Sequence, residues 1–593
     1  MDARRRDRHS VTGRGRWIVA ALLCGAITGA RGVGGDLDAA RAVYSAQLDT
    51  LRASLDALSA TSGTDTVSVR AAFTRARVAY KRAEWWLAYS APPIAAALNA
   101  QDIEGGNDEA DDSDDSAEVA AAGVQFVDPV GFQAVELRLY PSVLPGATAP
   151  VGAMLSAVDR LRVSTFGTSW TREAILEAAR QQLARVEAVG LANGDSRLAH
   201  AGLHESAAAL EGLERVVALI GAPTLDSSLG AAALALRSAN DTTFDRLRFL
   251  AREASGVARA LQRPPGEAFW RTASLFDSAA FDVWAFAPAD APPPTPSEIA
   301  LGQSLFNDSR LGGNSGHACV TCHQPARAFT DGQTVHPTRN TPTLINAALE
   351  HDLFADLRAP TLEAQVADVI ANPREMSGLP IDSIAARVNI PAIRIQRALA
   401  AYVRTLVRLD SRFDRAVRGD STALSPTERR GFNVFMAKGQ CGFCHMLPLF
   451  NGMAPPNFDR SEVEVLGVPR TADTVHAAPD LDPGRYAISH DGRDLHAFRV
   501  PSLRNVALTP PYMHNGVYRT LDQVIDFYNR GGGEGIGARL ANQTLSVRRL
   551  DLSAADRRAL IAFLGALTDT SGTTATTSRT PAPSPAPVPS GHH

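Results

Sequence analysis

Two copies of one short cysteine motif constrain this chain more than any other feature. CVTCH spans residues 319–323 and CGFCH spans residues 441–445. The chain has five cysteines, and four of them lie in these two motifs. The fifth, Cys24, falls in an apolar run near the start. The four motif cysteines therefore have to be explained as two local pairs, each followed by a histidine.

Each motif has the spacing that attaches a haem. Two thiols three residues apart add to the vinyl groups of one haem, and the histidine that follows ligates the iron. A redox disulfide or a zinc ribbon would use similar cysteine pairs but would not need a histidine after each. The sequence predicts two covalently bound c-type haems, held by Cys319, Cys322 and His323, and by Cys441, Cys444 and His445.

The first thirty residues have the composition of an export signal. A start rich in arginine leads into the run WIVAALLCGAITGA and then into small residues. This run is shorter than the about 20 apolar residues that a membrane-spanning helix needs, although a membrane anchor is the alternative. We expect a periplasmic protein after cleavage near Ala30. A formal net charge of −4 gives no support for a nucleic-acid partner.

The region from residue 36 to 263 has helical periodicity. The segment FTRARVAYKRAEWWLAY places one apolar face at spacings of three and four residues, formed by Phe73, Ala76, Tyr80, Ala83 and Leu87. Residues 172–189 and 244–263 repeat the pattern, and strand-like alternation is scarce. The predicted fold class is mainly α, with an N-terminal helical bundle followed by two c-type cytochrome domains.

Composition sets the predicted boundaries. The acidic stretch 104–118 is typical of a solvated loop, and the proline-rich stretch 287–298 of a linker. A helix precedes each cysteine motif, the second with a capping box of Ser425 and Glu428, which indicates duplication of one module. The predicted divisions are a signal peptide at 1–30, a helical domain at 36–263, a linker at 264–293, cytochrome domains at 294–424 and 425–567, and a disordered tail at 568–593.

Several further segments surround the motifs in a fixed order. They are ALGQSLFNDSRL, ACVTCHQPARAFTDG, RNTPTLINAAL, LEAQVADVIANPREM, ALAAYVRTLV, GQCGFCHMLPLF, FRVPSLRNVALTPPYMHNGVYRTLDQVIDFYN and LIAFLGALT. In this order, from about Pro294 to Leu567, the chain resembles the bacterial diheme cytochrome c peroxidases, which include the MauG-like enzymes.

The resemblance implies a peroxide site at the first haem. Its acid–base glutamate matches Glu375 in NPREM, its glutamine matches Gln365, and its aromatic residue matches Phe354. The chemistry needs such a carboxylate to move a proton between the two peroxide oxygens as their bond breaks. The resemblance also implies a calcium ion, bound by Asn340 and the backbone carbonyls of Thr509 and Pro511, oxygen donors that suit a hard cation.

The chain departs from the family pattern near the first haem. Ala355 stands where many members have a tryptophan between the haems. Gly332 falls where some members have a histidine that caps the first iron. His336 is the nearby candidate for that cap, and an ordinary surface histidine is the alternative.

At the second haem the resemblance is to the MauG-like members. Tyr528 stands where other peroxidases have the methionine that ligates the iron. A phenolate would stabilise ferric iron and lower the potential. Met513 and Met453 are rival ligands, although methionine beside aromatic residues commonly serves packing.

One motif in the first half resembles another family. The segment VDPVGFQAVELRLYP is similar to the Gly-x-His-x-x-Glu motif of the imelysin-like proteins, a bundle family linked to iron uptake. Gln133 replaces the histidine, and it shares a helix face with Glu136. Because glutamine is a poor ligand for transition metals, we expect a structural or docking domain rather than a metal site.

The resemblance implies a peroxidase that reduces hydrogen peroxide to water. Its electrons would come from a small cytochrome c or a copper protein. One alternative is a MauG-like oxidase that acts on a protein partner. Another is a non-enzymatic electron-transfer or iron-handling haem protein. The sequence leaves the oligomeric state open, with a homodimer among the options.

Overall fold

A computed structural model describes most of the chain, namely residues 36–61, 65–99, 130–163, 169–261, 269–333, 339–546 and 548–570. The predicted signal with Cys24, the acidic stretch 104–118, His336 and the tail beyond residue 570 lie outside these residues. Within the described part, the only strands are Val463–Glu464 and Phe498–Arg499, which pair antiparallel. The predicted mainly α fold class is confirmed. None of the described helices has the length and apolar character needed to cross a membrane.

The N-terminal bundle buries a core rich in alanine, leucine and aromatic side chains. The predicted apolar face of residues 73–89 is confirmed, since all five of its residues are buried within one helix. The helices are α1 (Leu37–Ser59), α2 (Thr66–Ser90), α3 (Pro92–Leu98), α4 (Gly131–Leu139), α5 (Val151–Val163), α6 (Arg172–Ala188), α7 (Gly202–Val217), α8 (Pro223–Arg237), α9 (Arg246–Phe249) and α10 (Ser255–Leu261).

The last predicted helix of the bundle is not continuous. A π-helix, Leu250–Ala254, separates α9 from α10. The hydroxyl of Ser255 donates to the carbonyl oxygen of Leu250, five residues earlier, at 2.8 Å. The extra residue in this turn rotates the faces of α9 and α10 relative to one another, which a regular 3.6-residue pattern does not anticipate.

The described part of the predicted linker is packed against both halves of the molecule. On the bundle side, the guanidinium of Arg180 lies 3.6 Å from the ring centre of Trp270. On the cytochrome side, the rings of Phe269 and Phe281 lie 5.3 and 5.7 Å from that of Phe458. These aromatic contacts fix the bundle against the haem-binding half.

The second half contains two similar helical modules. Their helices are α11 (Pro296–Phe306), α12 (Cys319–Cys322), α13 (Leu362–Ala371), α14 (Ile381–Val388), α15 (Ala392–Arg404), α16 (Arg412–Val417), α17 (Pro426–Met436), α18 (Tyr486–Ser489), α19 (Leu521–Asn529) and α20 (Ala554–Ala566). One short 3-10 turn, Gly190–Ala192, lies in the bundle. The second half has short 3-10 turns at Ser309–Gly312, Pro325–Arg327, Ala347–Leu349, Cys441–Phe443, Gly492–Asp494, Val506–Leu508 and Glu534–Ile536. The predicted capping box at the start of α17 is confirmed.

In each module the first helix crosses a later helix at a glycine. A Cβ at Gly302 of α11 would overlap the carbonyl oxygen of Ala398 in α15. A Cβ at Gly431 of α17 would overlap the carbonyl oxygen of Ala559 in α20. Only glycine permits backbones to approach this closely. The same crossing therefore recurs in both modules, on the helix that precedes each cysteine motif.

We expect Gly431→Ala to lower the free energy of unfolding by about 1–3 kcal/mol, because the added methyl forces α17 away from α20. Urea unfolding of the haem-loaded protein measures the loss. The control is Gly565→Ala in α20, where a Cβ meets no atom within 4 Å. That change should be neutral or stabilising by up to about 1 kcal/mol. Equal effects at the two positions would contradict the close crossing.

Candidate functional site

The first cysteine motif forms a single helical turn that ends at His323. Its Nδ1 lies 3.0 Å from the carbonyl oxygen of Phe329, to which it donates. Phe329 accepts this bond from a left-handed backbone conformation, with φ of +60°. A carbonyl that holds the Nδ1 proton fixes the tautomer, so Nε2 is the nitrogen that would ligate iron.

The second motif repeats this arrangement. Nδ1 of His445 lies 3.2 Å from the carbonyl oxygen of Phe450 and 3.0 Å from that of Pro501. Phe450 also has a left-handed conformation, with φ of +55°. Burial lowers the pKa of His445 to about 4, so the imidazole is neutral at pH 7, as ligation of a metal requires.

None of the four motif cysteines forms a disulfide within the described residues. Burial raises the pKa of Cys319 and of Cys441 to about 12, so both are protonated at pH 7. Within the described ranges, no three or more His, Cys, Asp and Glu side chains are grouped as a metal site. The two pairs therefore do not assemble one zinc cluster, and each remains available to its own prosthetic group.

One cavity of about 3160 Å³ connects the two motifs. Both cysteine pairs and both histidines line it. Much of the remaining wall is apolar, with Phe306, Leu344, Ile345, Val366, Met376, Leu399, Leu521 and Ile525 among its residues. A largely apolar cavity lined by two sets of two cysteines and one histidine has the donor set and the lining that fit two haems.

The residues predicted for the peroxide site lie around the first motif. Phe354, Gln365 and Glu375 all line the cavity that Cys322 and His323 border. They come from the loop before α13, from α13 itself and from the turn after it. The structure therefore places these three predicted residues in the lining of the same cavity.

Glu375 is half-buried and held from two sides. Nδ2 of Asn372 donates to its Oε1 at 2.9 Å, and Nη2 of Arg358 lies 3.9 Å from the same oxygen. Burial raises the pKa of Glu375, and Arg358 opposes part of that rise. The net pKa lies above the usual value for a glutamate, which brings the carboxyl nearer to the range where it both accepts and donates a proton.

Sequence reasoning missed Arg358. Its guanidinium lies 3.4 Å from the ring centre of Phe354 and donates to Asp356 at 3.0 and 3.1 Å. Phe354 has φ of +67°, an uncommon conformation for a bulky residue. The turned backbone places the ring beneath the arginine. Arg358 thus lies between the two predicted site residues, Phe354 and Glu375, and its only sequence signal was its proximity to Phe354.

Asp356 extends this arrangement to the second module. Nη1 of Arg339 donates to Asp356 at 2.6 Å, and Nε and Nη2 of Arg339 donate to Asp482 at 2.7 and 2.9 Å. Ala355 adds a backbone contact, because its carbonyl accepts from the N–H of Arg499 at 2.8 Å. The position where many family members have tryptophan is therefore a direct contact between the modules.

The backbone at Gly332 accounts for its identity. It has φ of +67°, and a Cβ there would lie 2.5 Å from Nη1 of Arg327. A histidine at this position would be strained in its backbone, because L side chains rarely adopt this φ. The rival cap, His336, lies outside the described residues.

Tyr528 lies on α19 and lines the cavity near the second motif. Burial raises the pKa of Tyr528. Met513 lines the same cavity, whereas Met453 is packed in the core and is 1% exposed. The position of Tyr528 and Met513 therefore suits a ligand better than that of Met453.

The residues predicted to bind calcium come together as a hydrogen-bonded contact. Asn340, Thr509 and Pro511 line the cavity. Nδ2 of Asn340 donates to the carbonyl oxygens of Pro511 and Met513, at 2.7 and 3.3 Å. The structure therefore brings Asn340 and the carbonyl oxygen of Pro511 together. Calcium binding at these residues stays a prediction of the resemblance.

The bundle also contributes to the second site. The guanidinium of Arg197 lies 5.1 Å from the ring centre of Phe443, inside the motif CGFCH. A Cβ at Gly442 would lie 3.1 Å from Cβ of Ala192. The sequence gives no sign of this contact, because Arg197 lies in no motif and is distant in sequence from Phe443.

Two tethered-haem sites in one helical chain define a di-haem c-type cytochrome. A model of the family described as di-haem cytochrome c peroxidase matches residues 296–422. Curated members of the family align with this chain over more than three quarters of their length, at 32–35% identity. This chain therefore belongs to that family. As a member it carries two c-type haems.

Three curated relatives illustrate the likeness. Cytochrome-c peroxidase IdrP2 of Denitromonas iodatirespirans is 35% identical over 305 residues, which cover 45% of this chain and 81% of that protein. Methylamine utilization protein MauG of Paracoccus denitrificans is 34% identical and covers 46% of this chain and 88% of that protein. Cytochrome c551 peroxidase of Nitrosomonas europaea is 32% identical and covers 41% and 76%.

Among solved structures, a MauG-like protein associated with microbial copper homeostasis is 32% identical, with a TM-score of 0.42. The match covers 48% of this chain and 92% of that chain. Each of these four matches thus spans less than half of this chain. The family model begins at residue 296, after the bundle.

We expect Arg358→Gln to raise the pKa of Glu375 further, because the substitution removes the cation that opposes the effect of burial. The infrared carbonyl band of the protonated carboxyl, followed against pH and assigned with Glu375→Gln, measures the change. Arg374→Gln is the matched control, since it removes the same charge one residue from Glu375. The environment described for Glu375 is wrong if its titration is the same in both variants.

Proposed function

We propose that this chain is a diheme peroxidase that reduces hydrogen peroxide to water. Two electrons and two protons convert each peroxide to two waters, and a small cytochrome c or copper protein supplies the electrons. The observation that carries the proposal is the position of Glu375, a carboxyl of raised pKa on the cavity wall that also bears Cys322 and His323.

The roles of the residues follow from their placement. Cys319, Cys322 and His323 would hold the first haem, whose iron supplies the redox centre at which peroxide is reduced. The carboxylate of Glu375 takes a proton from one peroxide oxygen and returns it to the other as the O–O bond breaks. Asn372 and Arg358 orient the carboxyl. Gln365 and Phe354 complete the wall that positions peroxide.

The second site would pass electrons to the first. Cys441, Cys444 and His445 would hold its haem in the same cavity. The backbone contact between Ala355 and Arg499 lies where the modules meet. We propose export to the periplasm, where an external redox protein reaches the chain. The proposed divisions are the signal at 1–30, the bundle at 36–263, the linker at 264–293, the cytochrome domains at 294–424 and 425–567, and the tail at 568–593.

Replacement of Glu375 by Gln tests the proposal. The amide keeps the shape of the side chain but cannot carry the proton, so we expect peroxide turnover to fall about 10²–10⁴-fold. Stopped-flow assays with a reduced small cytochrome measure it, and unchanged haem spectra show that both sites are intact. Asp382→Asn, an exposed carboxylate on α14, is the control. Turnover equal to that of the control would remove Glu375 from its proposed role.

A MauG-like oxidase is the second candidate, and Tyr528 favours it. A phenolate that ligates the second iron would stabilise its ferric state and lower its potential. The position of Tyr528, on the cavity wall near Cys441 and Cys444, supports this ligation. Such a protein would hold two oxidising equivalents and oxidise residues of a protein partner.

Replacement of Tyr528 by Phe distinguishes the ligands. If the phenol ligates the second iron, we expect the ferric absorption and electron paramagnetic resonance signals of one haem to change, because the substitution removes the donor oxygen. Met513→Leu is the matched variant for the rival ligand. Spectra altered by Met513→Leu and unaffected by Tyr528→Phe would assign the site to methionine and remove the support for the second candidate.

A further inference from the structure

The contact between the bundle and the second site depends on one loop, residues 193–201, which precedes α7. We call it the Asp195 loop. Its Arg197 and His200 line the large cavity, together with Phe443, Cys441 and Cys444 of the second motif. The bundle therefore forms part of the wall around the site that would hold the second haem.

Buried polar side chains of the bundle hold the backbone of this loop. The carbonyl oxygen of Asp195 accepts from Nη2 of Arg77 at 2.8 Å and from Nε2 of Gln133 at 3.1 Å. Oε1 of Glu136 accepts from the N–H of Ala199 at 2.9 Å. All three side chains are at most 2% exposed. Hydrogen bonds to charged or buried groups at both ends of a short segment restrict its motion.

The carboxylate of Asp195 is held as firmly as its carbonyl. Nδ2 of Asn99 donates to Oδ1 at 2.9 Å, and the ammonium of Lys81 pairs with Oδ2. The positive charges of Lys81 and Arg77 keep the pKa of Asp195 low despite its burial. Removing one partner of such a buried pair is strongly destabilising, because the other charge is left unpaired. A movement of the loop that separated Asp195 from Lys81 would carry the same cost, so these contacts hold the loop in place.

Arg197 lies between these anchors and points away from them. Its guanidinium carbon is 5.1 Å from the ring centre of Phe443, and its Nε is buried with no hydrogen-bond partner among the described residues. The positive charge of Arg197 therefore lies beside the second motif. No carboxylate accepts a hydrogen bond from its Nε among the described residues. A cation beside an aromatic face in a partly desolvated site interacts more strongly than one in water.

We propose that the N-terminal bundle tunes the second haem, and that it does so by presenting the positive charge of Arg197 to the motif CGFCH. Reduction of a haem adds one electron, so a fixed cation nearby stabilises the reduced form and raises the potential. Arg197 acts as a positioning and tuning residue and takes no part in the chemistry at Glu375. The inference requires a haem at the second motif but does not require peroxidase activity.

Replacement of Arg197 by Gln tests the inference in the full-length, haem-loaded protein. Midpoint potentials are measured by spectroelectrochemical titration without peroxide. We expect one haem to shift to lower potential, equivalent to a several-fold shift of its reduction equilibrium toward the oxidised form. The other haem should keep its potential, because Arg197 lies beside Phe443 of the second motif.

Two matched variants separate charge from structure. Arg197→Lys keeps the positive charge and should hold the potential near that of the parent protein. Arg75→Gln removes an equal charge from the exposed face of α2, away from the cavity, and should leave both potentials unchanged. The inference is overturned if Arg197→Gln matches Arg75→Gln, or if Arg197→Lys shifts the potential as far as Arg197→Gln does. A failure of peroxide turnover alone would bear on the proposed function instead.

Discussion

The close crossing of two helices at a glycine determines the geometry of each haem-binding module. Gly302 and Gly431 let one backbone lie directly on another, and each cysteine motif follows the helix that carries the glycine. Because a methyl group at either position would overlap a carbonyl oxygen, the angle and depth of each crossing have little freedom. The turn that carries each cysteine motif therefore follows a helix whose position is fixed. The similar hydrogen bonds of His323 and His445 to phenylalanine carbonyls then follow from the same framework in both modules.

At the first site, burial and charge act on one carboxyl in opposite directions. Removal of Glu375 from water favours its protonated form, and Arg358 favours the ionised form. Arg358 is itself held by Asp356, which Arg339 joins to Asp482 in the second module. A carboxyl on the first module is therefore positioned through an ion-pair chain that ends on the second. This dependence gives a physical reason for two modules to remain in one chain, since neither alone completes the surroundings of Glu375.

Features encoded within a few residues were predictable from the sequence, and features that depend on distant contacts were not. The cysteine motifs, the apolar face of α2 and the capping box of α17 each lie within a short segment, and the structure has all three. The π-turn in the last bundle helix, the cation at Phe354 and the contact of Arg197 with Phe443 had no comparable local signal. Each depends on how the chain returns to a segment that is distant in sequence, or on a backbone conformation such as the positive φ of Phe354.

The role of Gln133 in the bundle is best understood through the loop whose backbone it contacts. An imidazole and a carboxylate could ligate a metal. Here, however, the side-chain amide of Gln133 donates a hydrogen bond to the carbonyl oxygen of Asp195, and the carboxylate of Glu136 accepts one from the N–H of Ala199. Burial of polar groups is costly unless they are hydrogen-bonded, and here several of the bonds go to backbone atoms of one loop, although Oε1 of Gln133 has no partner among the described residues. A polar interior organised around a loop backbone restricts that loop more tightly than apolar packing alone would, because hydrogen bonds are directional. The bundle therefore has the construction of a rigid support, and the charge that it holds in place lies against the second haem motif.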